Sequence, residues 1–496
     1  MRLDVCTVYR EHALTTTDKA PRAWGIDASS DTHHHPHWHG FTAMADCEMP
    51  IVTSAKGCHL TTTDGRDLID GVSSLWCNLH GHNHPELNDA VEQQIRRVAH
   101  VPTLGIECDT TLALARRIIE IAPMSGGHVF FSSDGSSAVE AAIKMAFQHH
   151  RQKSAPEPHR NQFLAMGGAY HGDTTGSVSL GGIDRFHKLF AEILFRPVRG
   201  PTPCSYRIDR PGIDRPNIDR PGIDQPGIDR HDAAAVRDHY VQNYEALFRR
   251  HGDTLAAVVI EPTVQGAAGM ISHPPGFLAA IRRMCDQHGV LMIADEVATG
   301  FTRTGRMFAC EHESVSPDIL CMGKGLSGGY LPIAATMATP EIFESFLGRA
   351  TQSRQFFHGH TFGGNPVAAA VALRSIDLIL RNDLPAVAER RAGELREHLR
   401  PLDDHPHVGD IRGRGLMFGI ELVADRTNKR RFAPEHEIGR RVCAAAMRRN
   451  VWIRPLGDVI VIMPPPVIEP ETMAELATAV VESIVEVCHA ISGIDP

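Results

Sequence analysis

Two short apolar runs separated by one amphipathic stretch limit the fold more than any other feature of the chain. LAAVVIEP (255–262) precedes a segment in which Phe277, Ile281, Met284 and His288 share one helical face, and VLMIADE (290–296) follows. A strand apolar at consecutive positions is buried on both faces, and an intervening helix lets the next strand run parallel to it. GHVFF (127–131) followed by SSAVEAAIKMAFQ (136–148), with Val139, Ile143 and Phe147 on one face, repeats the unit. The expected class is therefore α/β, a mainly parallel sheet flanked by helices. The last hundred residues read differently. GLMFGIELV (415–423), VWIRPL (451–456) and VIVIM (459–463) are strand-like, and EPETMAELATAVVESIVEVC (469–488) closes as an amphipathic helix, which predicts a second, smaller α+β domain.

Several function classes are disfavoured. The net charge of -9 is spread over mixed acids and bases, without a basic stripe for nucleic acid or a polybasic membrane anchor. Eleven cysteines are scattered without a CxxC pair, which argues against a disulfide framework. The N-terminus lacks the apolar core of a signal peptide, and no apolar run is long enough to span a bilayer, so a cytoplasmic protein with small-molecule partners is expected. Two segments stand apart. HHHPHWH (33–39) follows a polar arm, but Pro36 interrupts it and no carboxylate or cysteine is spaced to close a metal site. IDRPGIDRPNIDRPGIDQPGIDR (208–230) repeats every five residues, too short and proline-rich for a folded repeat, and reads as an extended surface insertion.

The chemistry concentrates at strand ends. VLMIADE ends in Asp295, and DILCMGKGLSGG (318–329) places Lys324 after a second apolar run. A buried carboxylate can keep a pyridine nitrogen protonated, and a lysine crowded among glycines and apolar residues sheds its proton more easily and can condense with an aldehyde. Together they suggest pyridoxal phosphate. In a parallel sheet the carboxyl ends of the strands line the ligand crevice, where Glu261 would join them. SSDGSSAVE (132–140) joins a strand to a helix, so the backbone donors of Gly135 and Ser136 would lie at a helix N-terminus that favours phosphate.

ADEVATGFTRTG (294–305) with MGKGLSGG (322–329) resembles the class III, or omega-amino-acid, aminotransferases of the fold type I pyridoxal phosphate enzymes. Further blocks match in the family's order: DGVSSLWCNLHGHNHPEL (70–87), AYHGDTTG (169–176), EPTVQGAAGM (261–270), RMFACEHE (306–313), HGHTFGGNP (358–366) and VWIRPLGDVI (451–460). The resemblance implies an N-terminal arm (1–40), a first part of the small domain (41–79), a large cofactor-binding domain (80–375, with the insertion 208–230) and a C-terminal small domain (376–496). It implies catalysis by Lys324, Asp295 and Tyr170, with Tyr170 against the cofactor ring. It also implies a homodimer in which Gly359 contacts substrate while His360 and Thr361 reach the phosphate from the other subunit. Glu261 would either tune the cofactor or pair with an arginine. Arg454 and Arg303 would hold substrate carboxylates.

Within the family the blocks are most similar to the branch of biotin synthesis, which implies transfer of an amino group to 8-amino-7-oxononanoate. Members that use S-adenosylmethionine as donor have two consecutive tryptophans where this chain has Leu75 and Trp76, and a tyrosine where it has Phe41. Losing a stacking surface and a hydroxyl leaves the donor open between S-adenosylmethionine, the first choice, and lysine. The alternatives are an omega-aminotransferase for ornithine, 4-aminobutyrate or polyamines, and a non-catalytic cofactor-binding regulator.

Overall fold

The computed structural model describes residues 37–46, 49–208 and 228–492. Most of the N-terminal arm, the histidines at 33–35 and most of the five-residue repeat therefore lie outside the described residues. The chain divides into two compact units, one of residues 1–54 and 61–66, the other of residues 55–60 and 67–496. Within the first, Thr53 Oγ1 donates to the Thr61 carbonyl at 3.2 Å and Arg66 pairs with Asp64 at 2.8 Å.

The second unit is built on seven strands: β1 (His128–Ser132), β2 (Gln162–Met166), β3 (Val198–Gly200), β4 (Leu255–Ile260), β5 (Leu291–Asp295), β6 (Ile319–Met322) and β7 (Ala334–Ala338). They form one sheet in the order β1-β7-β6-β5-β4-β2-β3. Strands β3, β2, β4, β5 and β6 pair in parallel, and β7 runs antiparallel to both β6 and β1. Every residue of β4 is buried, because successive side chains feed two different cores. In chain order the longer helices of this part are α1 (Pro85–Arg97), α2 (Asp109–Ile121), α3 (Gly135–Gln152), α4 (Ala233–His251) and α5 (Phe277–His288). Val258 and Ile260 pack with Phe277 and Ile281 of α5, whereas Ala257 and Val259 pack with α3.

Helix α3 departs from the sequence reading in one respect. Val139 and Ile143 are buried, but Phe147 is 39% exposed and its ring lies 3.4 Å from the Arg151 guanidinium. Small Ala138, Ala142 and Ala146 centre the buried stripe and let the helix approach the sheet, so position 147 falls beyond its margin.

A second sheet, all antiparallel, has the order β8-β9-β11-β10 for β8 (Val408–Arg414), β9 (Met417–Leu422), β10 (Arg454–Leu456) and β11 (Val459–Ile462). Its core gathers Ile420, Ile460, Val442 and Leu476 with Ile69, Val72 and Trp76. The helix Pro366–Arg381 runs through residue 375, and Ile376, Ile379 and Leu384 belong to the larger core. A cut at that residue would divide a single packed helix.

Candidate active site

Strands β4, β5 and β6 are neighbours and parallel, so the residues just past their carboxyl ends come together at one edge of the sheet. Glu261 follows β4, Asp295 is the last residue of β5 and Lys324 lies just past β6, and all three line a cavity of about 790 Å³. Asp295 is 4% exposed; its Oδ1 accepts the Val297 N–H at 3.1 Å and its Oδ2 bonds His171 Nδ1 at 2.7 Å. His171 Nε2 is buried without a partner among the described residues. A carboxylate bonded on both oxygens is fixed in orientation.

Lys324 opens a short 3-10 turn (Lys324–Ser327) one glycine after β6, with φ at 41°. Burial depresses its pKa below the ordinary lysine value, while the charges of Asp295 and Glu261 pull the other way. Its Nζ lies 5.0 Å from the centre of the Trp76 ring and takes no hydrogen bond among the described residues. Glu261 is buried and accepts the backbone N–H of Tyr170 at 3.2 Å and of Gly266 at 2.9 Å. Burial pushes its pKa up to about 7. It pairs with no arginine among the described residues.

The strand-to-helix turn also lies on this cavity. Asp134 caps α3 by accepting the Ser137 N–H at 2.9 Å, leaving the Gly135 and Ser136 N–H groups without a capping bond among the described residues. Ser136 Oγ is tied to Thr174, whose N–H reaches it at 3.0 Å. A Cβ on Gly172, where φ is 119°, would fall 2.2 Å from Ser136 Oγ, so only glycine lets the two loops meet. Tyr170 lines the cavity and donates its hydroxyl to Asp173 at 2.7 Å; Trp76 lines it too.

The remaining expected residues are elsewhere. Arg303 is 1% exposed, and its guanidinium donates to Ser73 Oγ (3.1 Å), the Pro464 carbonyl (3.1 Å) and the Asn78 carbonyl (2.7 Å). Its two Nη groups thus join distant segments of chain, its buried Nε has no partner among the described residues, and Arg303 is not among the residues that line the cavity. Arg454 is exposed on β10 and also outside the cavity lining, as are Leu75 and the exposed loop of Gly359, His360 and Thr361. Phe41 is exposed in the first unit, with φ at 54°.

A model of the aminotransferase class-III family matches residues 43–484. The chain belongs to that family. The adenosylmethionine-8-amino-7-oxononanoate aminotransferase of Nitratidesulfovibrio vulgaris is 48% identical, over 92% of this chain and 81% of its own. The enzyme of that name from Geobacter sulfurreducens is 42% identical, over 92% of this chain and 96% of its own. Among solved structures, the Methanocaldococcus jannaschii enzyme of that name superposes with a TM-score of 0.81 at 33% identity, over 92% of this chain and 98% of its own. An amine transaminase from an uncultivated Pseudomonas species, solved in its PLP-bound form, gives 0.82 at 32% identity, over 91% and 99%.

The cofactor of such a class-III aminotransferase is pyridoxal phosphate, and the residues present fit it. The cavity offers a lysine amine and, at the head of α3, two N–H groups that take no hydrogen bond among the described residues, together with a carboxylate anchored from behind by His171. Sequence reasoning missed His171 and Glu296. His171 follows Tyr170 in AYHGDTTG, yet a lone histidine carries no spacing that marks it. Glu296, fully buried, accepts the Thr299 hydroxyl (2.6 Å) and the Ala309 and Cys310 N–H groups (3.0 and 2.8 Å), which fixes the chain just after Asp295. Its adjacency to Asp295 was the available signal.

Proposed function

We propose that this chain transfers an amino group to 8-amino-7-oxononanoate, giving 7,8-diaminononanoate in biotin synthesis, with S-adenosylmethionine as donor and lysine as the second choice. The observation that carries the reading is that relatives 42% and 48% identical over 92% of the chain share that named activity. Pyridoxal phosphate, when bound, supplies an aldehyde that condenses with amines and a ring that accepts the electron pair left at a deprotonated carbon. Lys324 Nζ would hold that group by its aldehyde, and the same amine, once freed, would take up and return the proton that leaves the donor's α carbon. Asp295, fixed by His171, stabilises a proton on the ring nitrogen.

The Gly135 and Ser136 N–H groups take the phosphate at the head of α3. Tyr170 and Trp76 bound the space for ring and substrate. Arg454 would hold the acceptor's carboxylate tail by its planar fork. Exposed Gly359, His360 and Thr361 serve the site of a second copy in a homodimer, and the proposed location is the cytoplasm. The test is single-turnover amine transfer to the bound cofactor, comparing S-adenosylmethionine, lysine, ornithine and 4-aminobutyrate, followed by addition of 8-amino-7-oxononanoate. Formation of 7,8-diaminononanoate after one of the first two donors is expected. Turnover only with ornithine or 4-aminobutyrate and their own keto acceptors would overturn the reading.

A further inference from the structure

Ser73, Ser74, Leu75 and Trp76 have φ values of 51°, 47°, 70° and 72°, so four successive residues with side chains sit in the left-handed region. There Cβ crowds the following carbonyl, and none of the four is glycine or asparagine, the residues that tolerate it best. Such a run persists only where its surroundings over-determine it.

The surroundings centre on Asp70, which is fully buried. Its Oδ1 accepts the N–H groups of Val72 (3.2 Å) and Ser74 (3.0 Å). Its Oδ2 accepts the Ser74 hydroxyl at 2.9 Å and meets His82 Nε2 at 3.0 Å. His82 is itself held by its backbone, which exchanges two hydrogen bonds with Gly57 at 3.0 and 2.7 Å. On the other side Ser73 Oγ donates to the Met463 carbonyl at 2.7 Å and receives Arg303. The Trp76 ring is the product of this turn. It is 8% exposed, lies against Gly266, whose Cβ would come 3.3 Å from the ring, and stands 5.0 Å from Lys324 Nζ.

We infer that the Asp70–His82 pair is a positioning element. It holds the left-handed turn 73–76 in place and thereby sets where Trp76 bounds the substrate space beside Lys324. Neither residue lines the cavity, so the pair acts through Trp76. The inference rests on the aminotransferase reading only for what the substrate is; the placement of Trp76 is independent of it.

The test uses the full chain with Trp24, Trp38 and Trp452 replaced by phenylalanine, so that Trp76 alone fluoresces. Acrylamide should quench buried Trp76 weakly in this parent and several-fold more strongly in Asp70→Asn, with far-UV circular dichroism and the main thermal transition retained. Ser74→Ala, which removes a single hydroxyl and folds if the larger change does not, should show a smaller increase in the same direction. In the chain with its natural tryptophans, Asp70→Asn should raise the KM for the amine donor by about tenfold with a smaller change in kcat, and lose most of that effect in a Trp76→Ala background. Unchanged quenching in both variants, or an equal loss with and without Trp76, would overturn the inference. If 8-amino-7-oxononanoate proves not to be the acceptor, the quenching result still decides the role of Asp70.

Discussion

Asp295 is 4% exposed and bonded on both oxygens, and Lys324 comes one glycine after a strand whose every residue is buried. Arg454, by contrast, is exposed on a three-residue strand and takes no ion pair among the described residues, and Gly359, His360 and Thr361 are exposed as well. The groups that would hold the cofactor are thus fixed by the packing of one chain. Those that would choose the acceptor or complete the phosphate site are left at its surface. Changes to the first set should damage every reaction the protein performs, and changes to the second only some of them.

The largest effect belongs to Lys324→Ala. Loss of the proton carrier alone should cost about 10²–10⁴ in both half-reactions, and visible absorption from the lysine-linked cofactor should vanish while noncovalent binding persists. Undiminished turnover would remove the assignment. Asp295→Asn should slow both half-reactions by about 100-fold, since an amide cannot stabilise a ring proton as a carboxylate does. A near-normal rate would reduce Asp295 to fixing the loop at Val297.

A smaller effect follows from the buried acids. Glu261 and Glu296 are each raised by burial from 4.5 to about 7. The folded chain therefore holds those protons more tightly than the unfolded chain. The stability they contribute is whole below about pH 4.5 and is lost as pH rises through about 7. Thermal melts at pH 5 and pH 8 should show a smaller difference for Glu261→Gln than for the parent. An unaltered difference would mean that Glu261 is already ionised at pH 5. The smallest effect is expected from replacing residues 209–227 with a short flexible linker, which should leave turnover unchanged because a proline-rich polar repeat contributes little core, whereas Ile208 and Ile228 at its ends pack in or against the larger core and are kept.

What could be read in advance follows the same division. LAAVVI and VLMIAD were legible as strands because burial on two faces demands unbroken apolar sequence. AATMA (334–338), the antiparallel β7, escaped notice because three alanines carry neither β-branching nor alternation. Asp295 and Lys324 were legible from strand-end position and the chemistry of a desolvated amine. The left-handed turn at 73–76 was not, since Ser-Ser-Leu-Trp contains no residue that favours positive φ and its cause, Asp70, acts through hydrogen bonds that only the fold creates. Arg303 shows the converse. Its motif was plain, but its burial against Asn78 and Pro464 depends on segments distant in sequence.

The contrast between the two regions is tested most directly by Arg454→Ala, with each half-reaction followed separately through the cofactor's absorbance. The donor step should be unchanged, and the KM for 8-amino-7-oxononanoate should rise by about tenfold or more, with Arg454→Lys restoring part of the loss because it keeps the charge without the fork. Equal damage to both steps would place Arg454 with the structural residues and contradict the account.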